Sequence, residues 1–145
     1  MTLHNLLKIG QLAEHVTNKK QIDKSMVAAA RCLEDARQRS ISCETRLDAA
    51  YRAITHYSLI SLSANGYRPS RSAPGHHQTM IQSLVHSVDL DRDQMLLLDS
   101  FRVKRNAIDY SGDIVEESSV EACVDAAEYL RDHLNDWLAK NNKFP

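Results

Sequence analysis

Glycine and proline are scarce, with four Gly and three Pro in 145 residues. That argues against a turn-rich β-sandwich or a many-stranded α/β fold, both of which need frequent chain reversals. Cysteine is sparse too. Cys32, Cys43 and Cys123 are odd in number and include no CxxC pair, so neither a disulfide framework nor a zinc ribbon is indicated. They read as buried thiols in a reducing compartment. No run approaches the roughly 18 apolar residues that a bilayer span requires. The opening Met1-Thr2-Leu3-His4-Asn5 has no basic stretch leading into a long apolar one, so the expectation is a cytoplasmic protein without a membrane partner. Charge of one sign is also missing. Eighteen Lys and Arg against 19 Asp and Glu give a net charge of −1, which excludes the broad positive field of a histone-like protein. There is no P-loop, GxSxG or GxGxxG. The histidines form no i,i+4 pair, so no metal site and no cofactor is expected.

What remains is helical. The composition, 43% hydrophobic and 26% charged, suits one globular domain over residues 1–145, large enough for a core without covalent staples. Leu3, Leu6, Leu7, Leu12, Ala13 and Val16 predict an amphipathic first helix over 3–16. After a polar break at 18–21, Ile22, Met26, Ala29, Ala30, Leu33 and Ala36 continue at three- and four-residue steps to about Arg39. Ser42 is placed to cap a third helix from Cys43 to Ala64, whose inner face carries Leu47, Ala50, Tyr51, Ile54, Tyr57 or Ser58, and Leu62. Asn65-Gly66 ends it, and 66–75 reads as a loop. A shorter helix follows over 76–88. Asp91 with Gln94 predicts a capping box for a helix over 92–109, and Ser118 with Glu121 a second one for a long last helix ending near Lys140. The stripe of that last helix ends in Trp137 and Leu138, with Trp137 a core anchor. The fold class is an all-α, up-down bundle of five or six helices.

The polar information is densest in 101–112. At about 100° per residue, Arg102, Arg105, Asn106 and Asp109 share an arc roughly 100° wide, while Leu96, Leu97, Phe101, Val103, Ala107 and Ile108 occupy the other side. Two guanidiniums one turn apart can grip a phosphate, and an amide can orient it or accept from a ribose hydroxyl. The same residues also fit a solvated face on which Arg105 and Asp109 form an i,i+4 ion pair. Arg37, Arg39, Arg46, Arg68 and Arg71 could extend a basic track, although Glu34, Asp35, Glu44 and Asp48 interrupt it. No short basic helix follows a tight turn, which disfavours a helix-turn-helix DNA reader.

Arg105-Asn106, the stretch Ala49-Ala50-Tyr51-Arg52-Ala53-Ile54 and the His76-His77-Gln78 helix start after the Pro-Gly loop together resemble the HEPN family. These are small helical nucleotide- and RNA-binding domains marked by an Arg, a polar residue such as Asn, and a His four to six positions on. The resemblance covers about 33–138. It implies a homodimer in which Arg faces of two subunits form one cleft. It also implies a place in a toxin–antitoxin or phage-defence module and, in RNA-cleaving members, metal-independent attack of a ribose 2′-hydroxyl on the adjacent phosphate. In that chemistry Arg stabilises the transition state and His moves protons.

This chain departs from the motif, because Tyr110 stands where the His belongs. A phenol with an ordinary pKa is ionised in only about one molecule per thousand at neutral pH, a severe handicap for a base. Three ways forward stay open. Tyr110 can serve as acid or phosphate donor with Arg105 and Asn106 as the catalytic set. His76 or His77 can supply the imidazole beside Arg102 and Arg105. Or the face binds RNA, nucleotide or a protein without chemistry, as a scaffold or neutralising partner, a reading favoured where Asp99, Asp109 or Asp113 tie up Arg102, Arg105 or Asn106. In some HEPN pairs a nucleotidyltransferase antitoxin modifies a Tyr near the motif, which makes Tyr110 a modification candidate.

Overall fold

The computed structural model describes residues 2–144. Its elements run α1 (Leu3–Lys8), β1 (Leu12–Glu14), α2 (Lys19–Ala36), α3 (Cys43–Ser63), β2 (Tyr67–Pro69), α4 (His76–Gln82), α5 (Leu84–Ser87), α6 (Arg92–Ser111) and α7 (Glu117–Lys140). The chain is an all-α helical bundle with one small two-stranded ribbon. Seven helical segments are present among the described residues, α5 being a single turn.

Helix α3 is the axis of the bundle. It packs most extensively against α2 and α7, and also touches α4, α5 and α6. Because neighbours surround it, it is buried on more than one face. Tyr57 and Ser58 are both inside, and Ala53, Ile60 and Ser61 join the predicted stripe. The buried hydroxyls are satisfied locally, Ser58 Oγ donating to Ile54 O and Ser61 Oγ to Tyr57 O, each at 2.8 Å. Ser42 caps the helix as predicted, accepting from Thr45 N at 3.2 Å. The last helix follows its predicted stripe from Val120 to Leu138, all buried except the partly exposed Trp137, which still packs on the core.

The predicted first helix over 3–16 is not formed as such. Helix α1 ends at Lys8, and Gly10 takes a left-handed φ of +80° that turns the chain into β1. Strand β1 pairs antiparallel with β2, Leu12 opposite Pro69 and Glu14 opposite Tyr67, so part of the predicted loop over 66–75 is strand. Leu12, 2% exposed, packs with Leu62 and Met80 in a small second core. Gln11, just before β1, accepts from Ser70 N at 3.0 Å and, through Oε1, from Thr79 Oγ1 at 3.3 Å, on either side of the remaining loop.

Other boundaries move for identifiable reasons. Helix α2 starts at Lys19, where Asn18 caps Gln21 N at 2.9 Å, and stops at Ala36 rather than Arg39. Its end is sealed by the buried Arg46, whose Nε donates to Ala36 O at 2.8 Å. The predicted helix over 76–88 divides into α4 and α5 at Ser83. Asp91 caps α6 through Asp93 N at 3.1 Å rather than through a box with Gln94, and the helix runs to Ser111, where Gly112 at φ +67° stops it. The Ser118–Glu121 box does not open α7, which begins after Glu116. Glu44 Oε1 takes the Val115 N–H at 3.3 Å and sets that approach. Of the apolar set predicted across α6, Phe101 alone is buried; Met95 and Leu98 face the core instead, and Leu96, Leu97, Val103 and Ala107 are exposed. Of the cysteines, Cys123 is buried, whereas Cys32 and Cys43 are only half-buried; all three are free thiols.

Candidate functional site

Helix α6 carries the polar arc, but its two arginines do different things. Arg102 forks onto Asp99 one turn earlier, Nε to Oδ1 at 2.7 Å and Nη2 to Oδ2 at 3.3 Å. This pairing pushes the Arg102 pKa up, chiefly through the hydrogen bond to Asp99. Arg105 reaches across to α3 instead. Its Nε donates to Asp48, and its guanidinium carbon sits 5.3 Å from the centre of the Tyr51 ring. The i,i+4 pair between Arg105 and Asp109 that the spacing allowed is replaced by this contact between helices.

A cleft of about 550 Å³ opens beside α6. It is lined by the loop of Arg71 to Gly75, by the start of α4, and by Arg102 and Asn106 of α6. His76, His77 and Gln78 project from α4 into this space. The structure therefore brings four of the predicted residues together: His76, His77, Arg102 and Asn106. Arg105 lies outside the lining, tied to Asp48 and Tyr51. Tyr110 is likewise outside, on the last turn of α6 and 94% exposed.

Tyr51, which the sequence places on the inner face of α3 and within the stretch that carries the resemblance, also reaches the edge of the cleft. It is 1% exposed, yet its hydroxyl meets His77 Nδ1 at 3.1 Å. The two rings are tilted by 53° with centres 5.6 Å apart. Burial pushes the Tyr51 pKa up to about 12, against the opposing pull of Arg105 and Arg102, so the phenol keeps its proton. His77 is shifted the other way. Desolvation by burial, followed by the charges of Arg105, His76 and Arg102, lowers its pKa. The residue as a whole is exposed, and the downward shift favours its neutral form.

The signal for Tyr51 was present in the stripe of α3, because a Tyr at a wholly buried position needs a partner for its hydroxyl. The partner was 26 residues away and invisible to periodicity. Asp99, three residues before Arg102, is one of the carboxylates the sequence offers this face, and it does take Arg102; Asp48, which takes Arg105 from another helix, carries no local pattern.

The arrangement offers hydrogen-bond donors from arginine, amide and imidazole on one concave surface, with two guanidinium charges, Arg71 and Arg102, at its edge. Among the described residues, no three His, Cys, Asp or Glu side chains are grouped to hold a metal ion, and no helix is long and apolar enough to cross a membrane. No protein-family model, curated protein or solved structure matches this chain.

Proposed function

We propose that the protein is a HEPN-like module that binds RNA or a nucleotide by its phosphate, acting in the cytoplasm within a toxin–antitoxin or phage-defence system. The observation that carries this reading is the convergence of His76, His77, Arg102 and Asn106, from helices α4 and α6, on one open cleft. A phosphate oxygen there meets a guanidinium, an amide and imidazole N–H groups, a donor set suited to an anion and poorly suited to a cation or an apolar ligand.

Arg105 supports the site from beneath by holding Tyr51, which in turn holds His77. Tyr110 is 94% exposed in the single chain, so a nucleotidyltransferase partner reaches it there and competes with a second copy for the same face. A homodimer has support of its own. Leu96, Val103, Ala107, Tyr110 and Ile114 recur at three-, four- and seven-residue steps along one exposed side of α6 and just beyond it, beside the wall formed by Arg102 and Asn106. A second copy seated there covers the stripe and brings two clefts side by side.

The competing reading is an inactive interaction module, a scaffold or neutralising partner. Its support is that both arginines already have carboxylate partners, Arg102 in Asp99 and Arg105 in Asp48. Incubating labelled single-stranded RNA with the wild type, Arg102→Ala and His77→Ala separates the two. Retention or cleavage lost in both variants supports the phosphate cleft. Absence of any retention by the wild type at low salt favours the interaction module.

A further inference from the structure

His76 and His77 are adjacent in sequence and line the same cleft, but their surroundings differ. The His77 Nδ1 faces the Tyr51 hydroxyl at 3.1 Å, whereas the His76 ring has no hydrogen-bond partner among the described residues. Tyr51 is 1% exposed, and His77 Nδ1 is the one hydrogen-bond partner its hydroxyl has among the described residues. The neighbouring Arg105 guanidinium only donates. The phenolic proton therefore points at Nδ1. An imidazole that accepts at Nδ1 carries its single proton on Nε2, the nitrogen remote from Tyr51.

We propose that Tyr51 is a positioning residue that locks His77 as a neutral Nε2–H donor to a phosphate oxygen, leaving His76 as the cleft imidazole with both nitrogens open. The inference rests on the phosphate-binding reading of the cleft and assigns the two histidines different tasks within it. His77 in this form cannot take a proton from a ribose hydroxyl, since its only lone pair is occupied. Proton transfer in the cleft, where it occurs, falls to His76.

Every group packed around His77 favours the locked form. From α3, Tyr51 supplies the donor, and Asp48 faces Arg105 rather than the imidazole. From α6, Arg102 and Arg105 repel an imidazolium, and Asp99 is held by Arg102. From α4 and the preceding loop, His76 and Arg71 complete the lining and supply no carboxylate. Protonating His77 turns its Nδ1 into a donor and strands the phenolic proton in a buried position. This agrees with the downward shift of the His77 pKa.

The test is a long-range proton–nitrogen correlation spectrum of the full-length, ¹⁵N-labelled protein, recorded across the pH range. The expected result is a neutral His77 with the proton on Nε2 and an Nδ1 shift characteristic of a hydrogen-bonded acceptor. In Tyr51→Phe, which keeps the buried ring, Nδ1 moves to the shift of a bare acceptor and the protonation midpoint rises. A wild-type His77 that is protonated at Nδ1 or charged at neutral pH overturns the lock, as does a Tyr51→Phe spectrum identical to the wild type. Adding inorganic pyrophosphate tests the other half. A shift of the Nε2 proton with Nδ1 unchanged supports donation to phosphate. An intact lock with no response to pyrophosphate overturns phosphate donation, and with it the binding function, while the assignment of the tautomer stands.

Discussion

The guanidinium of Arg105 lies over the ring of Tyr51, 5.3 Å from its centre, while its Nε is paired with Asp48 three residues before that tyrosine. One side chain of α6 thus grips two residues of α3 and fixes the ring that holds His77. Arg105→Ala is expected to lower stability by about 1 kcal/mol, the sum of a modest cation–π contact and a partly exposed ion pair. Urea unfolding checks this. In a double-mutant cycle with Asp48→Ala, a coupling energy indistinguishable from zero would show that the pair contributes nothing.

A larger loss is expected at Arg46. This side chain is 6% exposed, and it joins the end of α2 to the start of α7 through Ala36 O at 2.8 Å and Glu117 Oε1 at 3.4 Å. Arg46→Met keeps the buried length but leaves the Ala36 carbonyl without its donor, at a cost of roughly 2–3 kcal/mol by the scale for hydrogen bonds to charged groups. A denaturation midpoint unchanged from the wild type would refute that role.

Three histidines make stability depend on mildly acidic pH. The pKa values of His56, His77 and His86 are all lowered in the folded protein, in each case first by desolvation. The unfolded chain, with imidazoles near about 6.5, therefore binds more protons than the folded one, and stability rises with pH in this window. Their contribution is fully present above about 6.5 and is lost as pH falls through the lowered folded values. Thermal unfolding should show a melting temperature that declines between neutral and mildly acid pH, and His56→Gln should flatten the decline. A flat profile in the wild type would contradict the shifts.

Dimerisation through α6 predicts that Val103→Glu, at a position 54% exposed, leaves folding unchanged by circular dichroism but gives a monomer in sedimentation velocity. The wild type should sediment as a dimer at micromolar concentration. A monomeric wild type removes the basis for joining two clefts.

The helices that were legible in the sequence are those whose burial follows from local period. Ser42 and the Leu47–Leu62 stripe defined α3, and Val120 to Leu138 defined α7. The N-terminal segment departs from its helical period because Leu12 belongs to the core through a strand paired 57 residues later with Pro69, a partner that no local pattern reveals. Glycine at position 10, with φ +80°, was the one local sign of the break. The site divides in the same way. His76, His77, Arg102 and Asn106 stood out as polar clusters within two short windows. The Tyr51 hydroxyl, Asp48 and the diversion of Arg105 out of the cleft depend on how α3 and α6 pack, and so became visible only in three dimensions.

The central claim, that the cleft between the Arg71–Gly75 loop and α6 receives a phosphate, is tested most directly by diffraction from crystals grown with inorganic pyrophosphate. The expected result is anion density in contact with Arg102, Asn106 and His77 Nε2. An empty cleft at saturating pyrophosphate, or density seated only elsewhere on the molecule, would contradict it.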